Sequence, residues 1–170
     1  SIVTNGSTWN GRVIDQSAGG SDDMARTNAS RTGYYLKKFL TDGLNLTQGQ
    51  TAQHNWVAYR WAEVLLNYAE AMNEAFGPDA VPSGYAMSAR QALQQVRDRA
   101  SVNLPAVTAA DKDSFREAVK HERRIELAFE DHRYWDLLRW KDAMEVLNRP
   151  VLGVKIARNG EGWSYEVTEV

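Results

Sequence analysis

Apolar side chains recur at three- and four-residue spacing through residues 55–76, where Val57, Trp61, Val64, Leu65, Tyr68, Met72, Ala75 and Phe76 line one helical face. The pattern predicts a helix with those residues turned inward, stopped by Gly77-Pro78. Ser88 is placed to cap a second helix over 89–100, whose inward face is Ala89, Ala92, Leu93, Val96 and Ala100. Asp111 or Asp113 starts a third, with Phe115, Ala118, Val119, Ile125, Ala128 and Phe129 inward and a break near Asp131. A fourth is expected over about 133–147, presenting Tyr134, Leu137, Leu138, Met144 and Leu147 and ending at Pro150. Beyond it the period changes to two on both sides of Asn159-Gly160, which predicts a β-hairpin. Residues 1–33 have the Gly, Ser, Thr, Asn and Asp content of loops, 34–40 (YYLKKFL) reads as a short strand, and a polar stretch runs on to about residue 53.

These elements add up to a mainly α fold of antiparallel helix pairs, with irregular loops and a small terminal hairpin. We divide it into a loop-rich segment 1–53, a helical scaffold 54–150 and a hairpin 151–170, all within one structural domain. Trp61, Val64, Leu65 and Tyr68 fall at offsets 0, 3, 4 and 7, the spacing of the first helix of a tetratricopeptide repeat, and Ala89, Leu93 and Val96 match the second. The loop between them is longer than such a repeat allows. The match predicts an antiparallel pair rather than an array.

The stretch 121–141, HERRIELAFEDHRYWDLLRWK, departs from simple amphipathicity. Carboxylates and arginines fall on nearly every helical face, so some of these charges must be at least partly buried, and buried charges persist only when paired. Glu122, Arg123, Glu126, Arg133, Asp136 and Arg139 are therefore read as a structural ion network. The candidate pairs are Glu122 or Glu126 with Arg133 or Arg139, and Asp136 with Arg97 or Arg123. Glu122 and Glu126 lie one turn apart, but the neighbouring arginines keep carboxylates ionised, the opposite of what a general acid needs.

Charge and composition narrow the function. Twenty basic and 22 acidic residues give a net charge of −2, which lacks the basic footprint of nucleic-acid binding. The absence of cysteine removes disulfides, thiolate metal sites and a cysteine nucleophile. His121 and His132 would stand about 16 Å apart on one continuous helix, too far to share an ion, and His54 is the third and last histidine. Asp15, Asp22 and Asp23 lack the ligand spacing of an EF-hand loop and are read as a solvated loop. No cofactor is expected.

Three blocks carry a family resemblance: RWAEVLLNYAEAMNEA at 60–75, ALQQVRDRA at 92–100 and HERRIELAFEDHRYWDLLRWKDA at 121–143. In order and spacing they resemble the carboxy-terminal part of SusD/RagB-like proteins, as do GYYLKKFL at 33–40 and RNGEGWSYE at 158–166. The resemblance implies a non-catalytic, lipid-anchored protein on the outer face of the outer membrane of Bacteroidetes-type bacteria. It implies binding of oligosaccharides or other nutrients, delivery to a SusC-like TonB-dependent transporter, and a tetratricopeptide-like scaffold with an irregular binding lobe. The lipid-modified cysteine and its signal are not in the sequence, nor is the family's final Pro-rich segment, so we expect a fragment whose only membrane association is an amino-terminal anchor outside this stretch.

Sugars bind by laying their apolar faces on Trp or Tyr rings while polar side chains read the hydroxyls. Trp56, Tyr59, Trp61 and Tyr68 fall at helical spacing and are read as core, and Trp135 and Trp140 as packing. Trp9 differs, lying in a polar loop with Arg12 and Asp15 nearby. Trp9, Arg12, Asp15 and Tyr34 are the ligand-binding candidates, with Tyr35 and Trp163 as further possible platforms. The alternative is a tetratricopeptide-like interaction module for a peptide or protein partner, against which the small number of repeats argues.

Overall fold

The structure, a computed structural model, describes residues 2–3, 5–9, 11–27, 29–45 and 48–170, with only the backbone of Ile2 and Val3. Ser1, Thr4, Asn10, Asn28, Leu46 and Thr47, all in stretches read as loop, lie outside the described residues. The chain forms two compact units, Trp56–Lys141, and Ser1–Asn55 together with Asp142–Val170.

The first unit is helical: α1 (Trp61–Phe76), α2 (Ala89–Arg97), α3 (Lys112–Glu126) and α4 (His132–Trp140). Local chemistry fixes most of the ends. Ser88 and Asp111 each close a reciprocal capping box, with Gln91 and Ser114 respectively. Gly77, at φ 83°, ends α1 in a conformation that costs glycine little. Arg60 meets Glu126 near the end of α3 while Lys112, at its start, reaches the Glu74 carbonyl, so α1 and α3 are antiparallel. Arg90 lies over Phe115 and Arg97 binds Glu122, so α2 runs with α3 and against α1. Glu63 faces His132 and Glu70 binds Arg139, which sets α4 running with α1. Two antiparallel pairs result, α1 with α2 and α3 with α4.

The core lies between α1, α2 and α3. Leu65, Leu66, Ala69 and Met72 meet Ala89, Ala92, Leu93 and Val96, with Phe115, Val119 and Leu127 closing the cluster. The face of α1 differs from the expected stripe: Leu65 and Met72 are buried and Tyr68 partly so, but Trp61, Val64, Ala75 and Phe76 are exposed. The helix also starts at Trp61 rather than 55, because Arg60 is extended and its guanidinium is bound to Glu126 and Glu130. Trp56, Tyr59 and Trp61 are therefore not core residues, at 71%, 76% and 66% exposure. Ala100 is exposed beyond the end of α2. Ile125 and Phe129 are likewise exposed, and Leu127 is buried in their place. The turn that follows takes Phe129 and Asp131 into left-handed backbone, which rotates the faces out of the helical phase of α3.

The expected fourth helix is two. Lys141, at φ 63°, interrupts it, and a short α5 (Ala143–Leu147) follows in the second unit with Met144 and Leu147 exposed. Of the residues expected inward on α4, Leu137 is buried while Tyr134 and Leu138 are exposed.

The second unit is made of short pairings and turns. β1 (Ile2–Val3) pairs antiparallel with β4 (Tyr35–Leu36), so only two residues of the expected strand 34–40 are extended in a ladder. β2 (Thr8–Trp9) pairs with β3 (Arg12–Val13). β5 (Leu152–Asn159) and β6 (Gly162–Glu169) form the expected hairpin, turning through Gly160 at φ 61°. Val154 and Ile156 are buried from it, with Ile14 the other buried apolar residue described in the unit. Specific polar bonds hold these pieces. Gln16 Nε2 donates to the Gly33 carbonyl, Val154 N to that of Thr32, and Arg158 to Asp15.

Candidate functional site

The charged stretch 121–141 supplies one concavity, a pocket of about 410 Å³ lined by Asn67, Glu70, Ala71, Glu74, Arg123 and Arg139. Its floor is already neutralised. Arg123, 4% exposed, forks onto Asp136 at 2.9 and 3.0 Å and donates to Asn67 Oδ1 at 2.5 Å. Arg139 spans Asp136 at 2.8 Å and Glu70, which also accepts from Trp140 Nε1. Burial works against the charge of Glu70, but hydrogen bonds from Arg139 and Trp140 outweigh it, and its carboxyl lies below the ordinary range. Glu74 is lowered too, by Arg116 above all.

The pairing follows tertiary neighbours rather than sequence proximity. Glu122 binds Arg97, and Glu126 is shared by Arg60 and Arg99. Neither is paired with Arg139, whose partners are Glu70 and Asp136. Asp136 takes Arg123, one of its two expected partners. Arg60, Arg99 and Glu70 complete the network from outside the stretch. No sequence signal marks them, because their partners are 27 to 70 residues away.

The other concavity belongs to the loop-rich unit. It is a shallow cleft of about 340 Å³ with Trp9, Phe39, Leu40 and Leu44 on its apolar side and Thr41, Gln50 and Thr51 as polar lining. His54 meets Phe39 edge-on, ring centres 5.6 Å apart. Phe39 sits at φ 69°, a conformation unusual for a bulky residue. The Lys37 ammonium stands 4.7 Å from the centre of the Trp9 ring, and that of Lys38 lies 5.8 Å from Phe39. Apolar walls with a few polar groups and exposed ring area are what a small polar ligand with apolar faces needs.

Of the sequence candidates, only Trp9 lines this cleft. Arg12 is directly across the β2–β3 ladder from it, but its guanidinium is bidentate to Asp22 at 2.7 and 2.8 Å and donates to Ser21. Asp15 accepts from Ser17 and Arg158, which hold its carboxyl below the usual range. Tyr34 is 44% exposed and is not part of the lining. Tyr35 is likewise absent from the lining, and its hydroxyl accepts from Ser30 N. Trp163 lies under the Arg158 guanidinium in the hairpin. Phe39 and His54 are the cleft residues sequence reasoning passed over. The turn that presents Phe39 interrupts a segment read as a continuous strand.

Among the described residues no group of acidic and histidine side chains is arranged to hold a metal ion, and no helix is long and apolar enough to cross a membrane.

A sequence model of the SusD family matches residues 1–169. Among curated proteins, a SusD-like protein of Formosa agariphila, P25, is 37% identical over 95 residues, 55% of this chain and 16% of its own length. A second from the same bacterium, P38, is 34% identical over 107 residues, 59% of this chain and 20% of that protein. The chain thus spans about a fifth of the length of the curated relatives it matches. Among solved structures, a SusD-like protein from Bacteroides fragilis superimposes with a TM-score of 0.73 at 29% identity, covering 99% of this chain and 31% of that one. A SusD-like carbohydrate-binding protein from the same species gives 0.70 at 35% identity, covering 89% of this chain and 30% of that one. With a family match over nearly its whole length and the same helical architecture in solved relatives, this chain belongs to the SusD family.

Proposed function

We propose that this chain is part of a non-catalytic glycan-binding protein on the outer face of a bacterial outer membrane, and that its aromatic cleft contacts the sugar. The observation that carries the reading is the cleft itself, with a half-buried Trp9 and an exposed Phe39 beside Thr41, Gln50 and Thr51, in a chain related to a SusD-like protein described as carbohydrate-binding. The rings take the apolar faces of pyranose units, and the polar side chains read hydroxyls. No bond is made or broken. The paired carboxylates of the helical unit serve as scaffold, since their arginine partners hold Glu70 and Glu74 ionised. As in the family at large, lipid anchoring and delivery of the bound glycan to a TonB-dependent transporter complete the proposed role.

Calorimetric titration of the whole protein against a panel of oligosaccharides tests it. At least one glycan is expected to bind, and Trp9→Ala is expected to weaken that binding by tenfold or more, the scale of one lost stacking platform. Undiminished binding by the variant removes Trp9 from the site, and failure of the whole panel overturns the glycan reading. Affinity purification of the protein from outer membranes checks the partner: recovery without any TonB-dependent transporter argues against delivery.

A further inference from the structure

We propose that the Trp9–Phe39 cleft selects sugars carrying an acetyl group, as an acetamide or as an ester, with Gln50 donating to the acetyl carbonyl and Leu40, Leu44 and Ala52 receiving its methyl. The inference rests on the reading of this cleft as a glycan site and adds the substituent that the site recognises.

Three observations carry it. First, the lining is more aliphatic than ring stacking requires. Leu40 is 51% exposed, Leu44 is half-buried and Ala52 is exposed. None of them offers a ring face to a pyranose, and a hydroxyl set against them gives up water without gaining a partner. A methyl group set there instead takes its apolar surface out of water. Second, the polar lining includes a donor that is held in place. Asn45 N donates to Gln50 Oε1 at 2.8 Å, and Gln50 N donates to the Asn45 carbonyl at 3.2 Å. A backbone N–H needs an acceptor, so the Gln50 carboxamide is fixed with its oxygen toward Asn45. Its Nε2 has no partner among the described residues and Gln50 is exposed, so it meets a ligand as an N–H donor. Third, no Asp, Glu, Lys or Arg lines the cleft among the described residues, and the recognised substituent is accordingly an uncharged one.

An acetyl group meets both requirements at once, because its carbonyl oxygen and its methyl sit on the same carbon. A hydroxyl supplies an acceptor but no apolar surface, and the methyl of a deoxy sugar supplies the surface without an acceptor. One neutral hydrogen bond and one buried methyl are each worth a few-fold in affinity, and the two together roughly tenfold.

Matched probes isolate the substituent. The whole protein is titrated with tri-N-acetylchitotriose and with cellotriose, which carry an acetamide and a hydroxyl respectively at the same ring carbon. It is also titrated with an acetylated xylo-oligosaccharide and with the same chain after alkaline deacetylation. The acetylated member of at least one couple is expected to bind about tenfold tighter. Gln50→Glu keeps an acceptor for Asn45 N but removes the N–H donors, and is expected to shrink that gap about fivefold. Leu40→Ala is expected to shrink it roughly threefold. A preference confined to one couple supports the proposal and identifies acetamide or ester as the recognised group. Equal binding within both couples overturns it, as does a preference undiminished in either variant. If none of the four probes binds while another glycan of the panel does, and that binding is lost with Trp9→Ala, the acetyl selection falls and the glycan reading stands.

Discussion

Residues 56–141 hold twelve of the fifteen apolar side chains buried among the described residues, whereas residues 1–55 with 142–170 hold only Ile14, Val154 and Ile156. The helical unit is held by packing and by charges removed from water together. The loop-rich unit is held by turns, short ladders and individual polar bonds such as Gln16 to Gly33 and Arg158 to Asp15. The difference matches the division of labour we propose. A close-packed core tolerates little change of shape, which suits a scaffold. Surface turns leave ring area and polar groups open to a ligand, and the aromatic cleft lies there.

The comparison breaks most severely where core packing is removed. Phe115, on α3, is fully buried in the core shared with α1 and α2, so Phe115→Ala should destabilise the helical unit by about 3–5 kcal/mol, read as a lower denaturant midpoint. Arg123→Ala follows closely, at about 3 kcal/mol or more, because it leaves the buried Asp136 carboxylate without its bidentate partner. Replacing both, as Arg123→Met with Asp136→Leu, should recover much of that loss. An unchanged midpoint for Arg123→Ala would show that the pair is dispensable.

The loop-rich unit should fail by a different route. Gly33 sits at φ +75°, and a Cβ there would come within 2.8 Å of the Val154 carbonyl oxygen and 2.9 Å of Val154 Cγ1. Gly33→Ala therefore combines backbone strain with a clash against backbone, at about 2 kcal/mol. Hydrogen exchange should quicken around residues 30–36 and 152–156 and stay as in the wild type in α1, α2 and α3. Faster exchange throughout the helices would mean that the two units do not unfold separately.

How far each unit was legible from its sequence follows from the same contrast. Ser88 and Asp111 act within three residues of themselves, so two helix starts could be read directly, as could the Asn159-Gly160 hairpin. The start and face of α1 could not. Its apolar residues satisfy helical spacing on more than one stripe, and the choice of Leu65, Leu66, Ala69 and Met72 over Trp61 and Val64 is made by α2 and α3. Arg60 is the clearest case, since what stops the helix from beginning earlier is an arginine bound to carboxylates 66 and 70 residues away. In the cleft, Trp9 was visible as an aromatic in a polar loop. Phe39 and His54 were not, because a non-glycine residue at positive φ leaves no mark in the sequence.

The smallest expected effect separates the two kinds of charge on this chain by pH. Glu70 is partly buried, and despite that burial its bonds from Arg139 and Trp140 hold its carboxyl below the ordinary value, which is about 4.3 for a free glutamate. A group whose folded-state value is depressed contributes stability that is complete above the unfolded value and disappears as pH falls through the folded one. Glu70 should therefore stabilise the helical unit at neutral pH and cease to do so as the medium is acidified below about pH 4. Glu70→Gln removes the titration while keeping an acceptor for Trp140. The variant should be less stable than wild type at pH 7, by about 1 kcal/mol or less, since Arg139 is half exposed and its pairing screened. The gap should narrow as the pH falls below the free-glutamate value, and the two unfolding midpoints should draw together. Asp15 provides the contrast, because it is also lowered, by Ser17 and then Arg158, but belongs to the loop-rich unit. Asp15→Asn should leave the acid limb of the helical transition where it is. A gap for Glu70→Gln that stays constant from pH 7 to pH 3 would assign its effect to shape rather than charge, and would remove Glu70 from the ion network that distinguishes the scaffold from the loops.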